Sequence, residues 1–186
     1  MIQYHVSGSS GSGKSTLGER LADLGYTVVD IDHWVSAYLP ITGRTSEDFE
    51  RVINELIEEY HKEKTVYVIV GIAWTLPNRY GVPTRAHLIW PAETHKLFLT
   101  IPDNTLYCRY NLRVLKEIMG DFDLISSDCP PLGVGELLEK YLADLMTRKQ
   151  CRDDYEKDLK YHCSRNYVPI SSESAVDIIA GTPPLA

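Results

Sequence analysis

The sequence predicts a three-layer α/β fold built around a five-stranded parallel sheet. Three observations carry this reading. Short apolar runs alternate with longer helical stretches along the chain, and that alternation implies a parallel sheet with helices on both faces. The run 65–70 (TVYVIV) is apolar on both of its faces, as a strand buried between two helical layers must be. Phe49, Val52, Ile53, Leu56, Ile57 and Tyr60 fall at i, i+3, i+4, i+7, i+8 and i+11, which is one face of an amphipathic helix.

The elements follow in order. Residues 2–7 alternate weakly and end at a glycine, so they form a first strand. Leu17, Leu21 and Leu24 give 14–24 helical spacing, and Gly25 stops that helix. Residues 26–30 (YTVVD) are β-branched and apolar, a second strand. Thr45 and Asp48 fit a capping box at the head of the amphipathic helix. The apolar run 65–70 is the third strand, and 97–101 (LFLTI) repeats its character as a fourth. Helices are expected over 105–119, 135–149 and 152–163. A last strand covers 167–170, and Ser171 or Ser172 caps a closing helix that stops at Gly181. Residues 73–94 and 120–135 are rich in proline or aspartate. They read either as surface loops or as mobile lids that carry substrate contacts.

A chain of 186 residues fits one domain, 1–186, with a lid or insert at about 120–150. Its 19 basic and 26 acidic residues leave a net charge of −7, which argues against a nucleic-acid-polymer partner or a polybasic membrane anchor. Cys108, Cys129, Cys151 and Cys163 show no C-x-x-C spacing. Cys151, His162 and Cys163 form at most a partial metal set, and reduced structural thiols explain them as well. No leader-like or membrane-spanning stretch is visible, so the expected setting is cytoplasmic, with no membrane partner.

The chemistry is concentrated near the N-terminus. Gly8, Ser9, Ser10, Gly11, Ser12, Gly13, Lys14 and Ser15 match G-x-x-x-x-G-K-[ST], with a strand before and a helix after. Glycines let the backbone curl so that several amides point inward at phosphate oxygens. The helix that starts there adds its positive dipole end. Lys14 reaches the β- and γ-phosphates, and the Ser15 hydroxyl suits Mg²⁺. The expected ligands are therefore ATP and Mg²⁺, with residues 8–15 and Thr16 around the nucleotide. Neither D-x-x-G nor N-K-x-D is present, which counts against a guanine-nucleotide switch. The third strand ends in Gly71 rather than an acidic residue. The acidic residues instead follow the second strand, Asp30 and Asp32 in VVDIDHW. At strand spacing these two carboxylates share a side. A phosphoryl transfer needs one carboxylate to orient the nucleophile. Either aspartate can also be read as the cap of a following helix.

With these motifs the chain resembles the P-loop nucleoside/nucleotide kinase superfamily, its shikimate-kinase-like, gluconate-kinase-like and nucleoside monophosphate kinase-like members above all. The resemblance implies the strand order 2-3-1-4-5. It implies that Asp30 helps hold Mg²⁺, through water or through Ser15, and that Asp32 binds the acceptor hydroxyl and serves as its base. It places an acceptor-binding arginine at Arg51, near Phe49, with Arg44 competing for the role. It assigns Arg109 and Arg113 to the ATP phosphates at the base of a lid, whereas the same i, i+4 spacing with Lys116 also suits a solvated basic face. Arg152 and Tyr155 resemble an R-x-x-Y in which the arginine meets the acceptor or the nucleotide, and Arg148 is an alternative lid residue. Arg79 and Arg85 are further candidates for an anionic acceptor. The function implied is ATP-dependent phosphorylation of a small molecule: a nucleoside, a nucleoside monophosphate or a hydroxylated metabolite. The chain is expected to act as a monomer or homodimer. A nucleotide-dependent switch and an ATP-binding scaffold are the rival readings, and dependence of ADP release on an acceptor separates them from a kinase.

Overall fold

The computed structural model describes residues 2–31, 33–34, 46–63, 67–71, 88–125 and 145–182. Five strands form one parallel sheet: β1 (Ile2–Ser7), β2 (Thr27–Asp30), β3 (Tyr67–Val70), β4 (His95–Leu99) and β5 (Val168–Ile170). Their order is β2-β3-β1-β4-β5. Every neighbouring pair is parallel, with Val6 opposite Val70 on one side and Leu97 on the other. This is the order implied at the sequence level. The helices are α1 (Lys14–Asp23), α2 (Ser46–Lys62), α3 (Asp103–Ile125), α4 (Arg148–Cys163) and α5 (Ser172–Ala180).

Alternation along the strands divides the core into two layers. Tyr4, Val6, Val68, Val70, Leu97 and Leu99 face one way and meet Leu17 and Leu21 of α1 and Ala175 and Ile179 of α5. Val29 and Ile69 face the other way and meet Ile53, Leu56 and Ile57 of α2. The sheet is thus covered on both sides, which is why the buried positions of its central strands are mostly apolar. The exception is β1, whose second face carries His5 and Ser7, both buried.

The described residues form two compact units, Met1–Thr100 with Lys157–Ala186, and Ile101–Glu156. The first contains the sheet, α1, α2 and α5. The second has its own buried side chains, Leu106, Val114 and Cys151. Within it, the Asn111 amide clamps the Met146 backbone by giving to its carbonyl and accepting from its N–H, both at 3.1 Å.

Several element boundaries differ from the sequence reading. Strand β4 starts at His95, two residues before the apolar run, because backbone pairing with Tyr4 rather than side-chain character sets its beginning. Helix α3 begins at Asp103 and continues past Gly120 to Ile125. Its start is fixed by Pro102, whose carbonyl accepts from the amides of Thr105 and Leu106. Residues 145–147 are not helical, so the helix expected over 135–149 does not reach its predicted end. Helix α4 begins at Arg148, four residues earlier than expected. The cause is a capping box. The Thr147 hydroxyl accepts from the Gln150 amide at 3.2 Å, and the Gln150 side chain accepts from the Thr147 amide at 2.8 Å. The closing helix follows the expectation: Ser171 caps it by accepting from the Ser174 amide, and it ends at Gly181. Pro169 is tolerated in β5 because that strand lies at the sheet edge.

Candidate active site

The loop between β1 and α1 is wound back on itself. Gly11 and Gly13 have φ of 83° and 97°, a region that disfavours any side chain. The Ser12 amide donates to the Ser9 carbonyl at 3.0 Å, closing the turn. A Cβ on Gly8 would lie 2.5 Å from the Ser12 hydroxyl and 3.2 Å from Leu99 Cβ, so the backbone there approaches its neighbours as only glycine allows.

Lys14 opens α1 and is 9% exposed. Its ammonium is turned into the loop, donating to the carbonyls of Gly8 at 2.8 Å and Ser9 at 3.1 Å. A cation therefore sits at the centre of a curl of backbone at a helix N-terminus, the arrangement that attracts a polyanion. The Ser12 hydroxyl is buried with no hydrogen-bond partner among the described residues. These features fit the phosphates of a nucleotide.

Ser15 follows on the first turn of α1 and donates to Asp30 Oδ2 at 2.9 Å. Asp30 Oδ1 lies 3.4 Å from the His33 amide. The two residues are 15 apart in sequence and meet because β2 delivers Asp30 to the same end of the sheet at which β1 runs into α1. A hydroxyl and a carboxylate side by side are hard oxygen donors of the kind Mg²⁺ takes when phosphates complete its shell. Among the described residues there is no cluster of three His, Cys, Asp or Glu that would hold a metal by itself.

Beneath the loop lies a buried polar layer that local sequence reasoning missed. The Ser7 hydroxyl contacts His162 Nε2 at 2.8 Å, and His162 Nδ1 contacts the Asp158 carbonyl at 2.8 Å. A carbonyl only accepts, so Nδ1 carries the proton and Nε2 of the neutral ring accepts from Ser7. Burial pushes the His162 pKa down to about 4, against its hydrogen bond to the Asp158 carbonyl, which raises it, and the charges of Arg165 and Lys14 push the same way as burial. The Ser9 hydroxyl donates to Asp158 Oδ2 at 2.9 Å. His5 meets the Tyr167 hydroxyl at 2.6 Å and stacks on Trp90 with ring centroids 4.0 Å apart. Burial holds His5 well below the usual imidazole range and Tyr167 above the usual phenol range. His162 is thus a hydrogen-bonded residue of the β1 layer rather than part of a metal set with Cys151 and Cys163. Cys151 is buried, Cys163 and Cys108 are exposed, and all three are free thiols.

The other expected site residues are placed as follows. Arg51 is exposed on α2 and pairs with Glu55 at 3.1 Å on its own helix. Arg109 and Arg113 are exposed on α3, and Arg148 is exposed at the start of α4. Arg152 Nε pairs with Asp103 Oδ2 at 2.9 Å, tying α4 to the first turn of α3. Asp32, Arg44, Arg79 and Arg85 lie outside the described residues, as do Cys129, Thr45 and the stretches 73–87 and 126–135. The structure brings residues 8–15 and Asp30 together. No signal within any short window marks Asp158 or His162 as their neighbours.

No family model matches the chain, and no curated protein matches its sequence. Solved structures do resemble it. Shikimate kinase from Aquifex aeolicus is 16% identical, with a TM-score of 0.51, over 97% of this chain and 94% of that one. A gluconokinase from Sinorhizobium meliloti is 21% identical over 78% of this chain and 75% of that one, with a TM-score of 0.36. A tRNA isopentenylpyrophosphate transferase from Staphylococcus epidermidis is 11% identical over 97% and 98%, with a TM-score of 0.47. At such identities the likeness is one of architecture. With its sheet order, its curled loop between β1 and α1 and its likeness to the Aquifex aeolicus shikimate kinase, the chain has the P-loop kinase fold.

Proposed function

We propose that the chain is an ATP-dependent kinase that transfers the γ-phosphoryl group to the hydroxyl of a small acceptor, releasing ADP. The observation that carries this reading is the buried Lys14 ammonium at the centre of the loop, with the Ser15–Asp30 pair beside it. Phosphoryl transfer asks little covalent chemistry of a protein and much positioning and charge neutralisation. Residues 8–15 and Thr16 bind the triphosphate through amides, the helix terminus and Lys14. Ser15 and Asp30 would hold Mg²⁺, which would supply charge neutralisation at the phosphate oxygens. Asp32 orients the acceptor hydroxyl and takes its proton as the new P–O bond forms. Arg109 and Arg113 neutralise charge on the phosphoryl group in flight. Arg44, Arg51 and Arg152 serve the acceptor, which is a nucleoside, a nucleoside monophosphate or a hydroxylated metabolite.

Among the described residues no helix is long and apolar enough to cross a membrane. We further propose that the chain acts as a cytoplasmic monomer or homodimer on small molecules, with no membrane or nucleic-acid polymer as partner.

The test is ADP release from MgATP with and without a panel of acceptors drawn from those three classes. Release that requires one acceptor, with that acceptor recovered as its phosphate ester, supports the kinase. Slow release that ignores acceptors supports a nucleotide switch. Binding of MgATP with no turnover supports a scaffold.

A further inference from the structure

The first variable residue of the phosphate loop is held from outside the loop. Ser9 Oγ donates to Asp158 Oδ2 at 2.9 Å, although the two residues are 149 apart in sequence. Each is 6% exposed. An aspartate this deep gives up most of its hydration, so the hydrogen bonds it receives matter more than on a surface. Asp158 and His162 are one turn apart on α4 and meet two loop-proximal residues two apart, Ser9 and Ser7. A helix face that would ordinarily bring apolar side chains to the sheet instead brings a carboxylate and an imidazole.

Ser9 is also the hub of the loop's own bonding. Its carbonyl accepts from the Lys14 ammonium at 3.1 Å and from the Ser12 amide at 3.0 Å. Side chain and carbonyl belong to one residue, so anchoring the hydroxyl restricts the direction of the carbonyl. We propose that Asp158 is a positioning residue of the phosphate site: by fixing Ser9 it sets where Lys14 rests and keeps the loop amides turned inward. Binding of a triphosphate then depends on the C-terminal half of α4. The proposal rests on the nucleotide-binding reading above.

The test compares MgATP and adenosine binding by titration calorimetry for the wild type, Asp158→Ala, Ser9→Ala, the double variant and Asp158→Asn. Amide exchange across residues 8–15 is measured on each protein without nucleotide. Losing the buried bond weakens MgATP binding about tenfold in Asp158→Ala and moves adenosine by less than about twofold. The double variant is no worse than the poorer single one, because both remove the same interaction. Asp158→Asn keeps an acceptor oxygen and recovers most of the affinity. The Ser12 amide exchanges faster in Asp158→Ala and Ser9→Ala than in the wild type. A folded Asp158→Ala or Ser9→Ala that binds MgATP as the wild type does, with Ser12 exchange unchanged, overturns the proposal even if it is less stable to urea. If the wild type binds no MgATP, the nucleotide reading fails by itself, and Ser12 exchange still decides whether Asp158 holds the loop. If Asp158→Ala does not fold, Ser9→Ala and Asp158→Asn carry the comparison.

Discussion

Acidification should destabilise this protein through His162 by an amount the structure allows to be worked out. The ring is neutral and buried between Ser7 and the Asp158 carbonyl, with a pKa lowered from 6.5 to about 4. The unfolded chain therefore binds a proton between pH 6.5 and 4 that the folded chain refuses, and stability falls as the pH drops through that window. With those two values, moving from pH 7 to pH 5 removes about 2 kcal/mol through this one group. His5, on the same buried face, has the same sign. The assay is urea unfolding at pH 7 and pH 5 for the wild type and for His162→Gln, whose amide does not titrate. The variant retains His5 and every carboxylate, so subtracting its pH loss leaves His162 together with its influence on His5. The wild type should lose about 2 kcal/mol more than the variant over that interval. Superimposable pH dependences would show that His162 can protonate in the folded protein without cost, and would refute the buried neutral ring.

Three further outcomes are expected. Lys14→Ala should leave a folded chain and lower phosphoryl transfer by about 10²–10³, as loss of a preorganised charge partner does, in a coupled ADP assay; full activity would remove Lys14 from the mechanism. Asp32→Asn should leave MgATP affinity nearly unchanged while turnover falls by about 10²–10⁴, the usual worth of a general base; lost affinity with intact turnover per bound ATP would make Asp32 a metal-site residue instead. Gly13→Ala, at φ 97°, should cost about 1–2 kcal/mol in urea unfolding, and a neutral result would mean that the left-handed turn is not needed.

Sequence and tertiary structure contributed different parts of this site. The phosphate loop was legible because its chemistry is local. Eight consecutive residues supply the glycines that permit the turn, the cation and the hydroxyl, and a strand and helix on either side set their direction. Asp30 was legible for a related reason: a parallel strand next but one to β1 ends at the same edge of the sheet, so a carboxylate at its end arrives near Ser15. The start of α4 could have been read from Thr147 and Gln150, whose spacing is that of a capping box.

The buried polar layer was not legible. In the sequence Asp158 and His162 sit in a charged helix and look like its solvated side, because nothing within a turn or two distinguishes a carboxylate that faces water from one that faces a serine 149 residues away. His5 and Ser7 likewise look like the wet face of an alternating strand. The sequence by itself determined the class of fold and the place of the proposed phosphate site, since both follow from periodicity and from contiguous residues. Only the tertiary structure decided which polar groups leave water and pair beneath that loop, because burial depends on which elements the folded chain brings together.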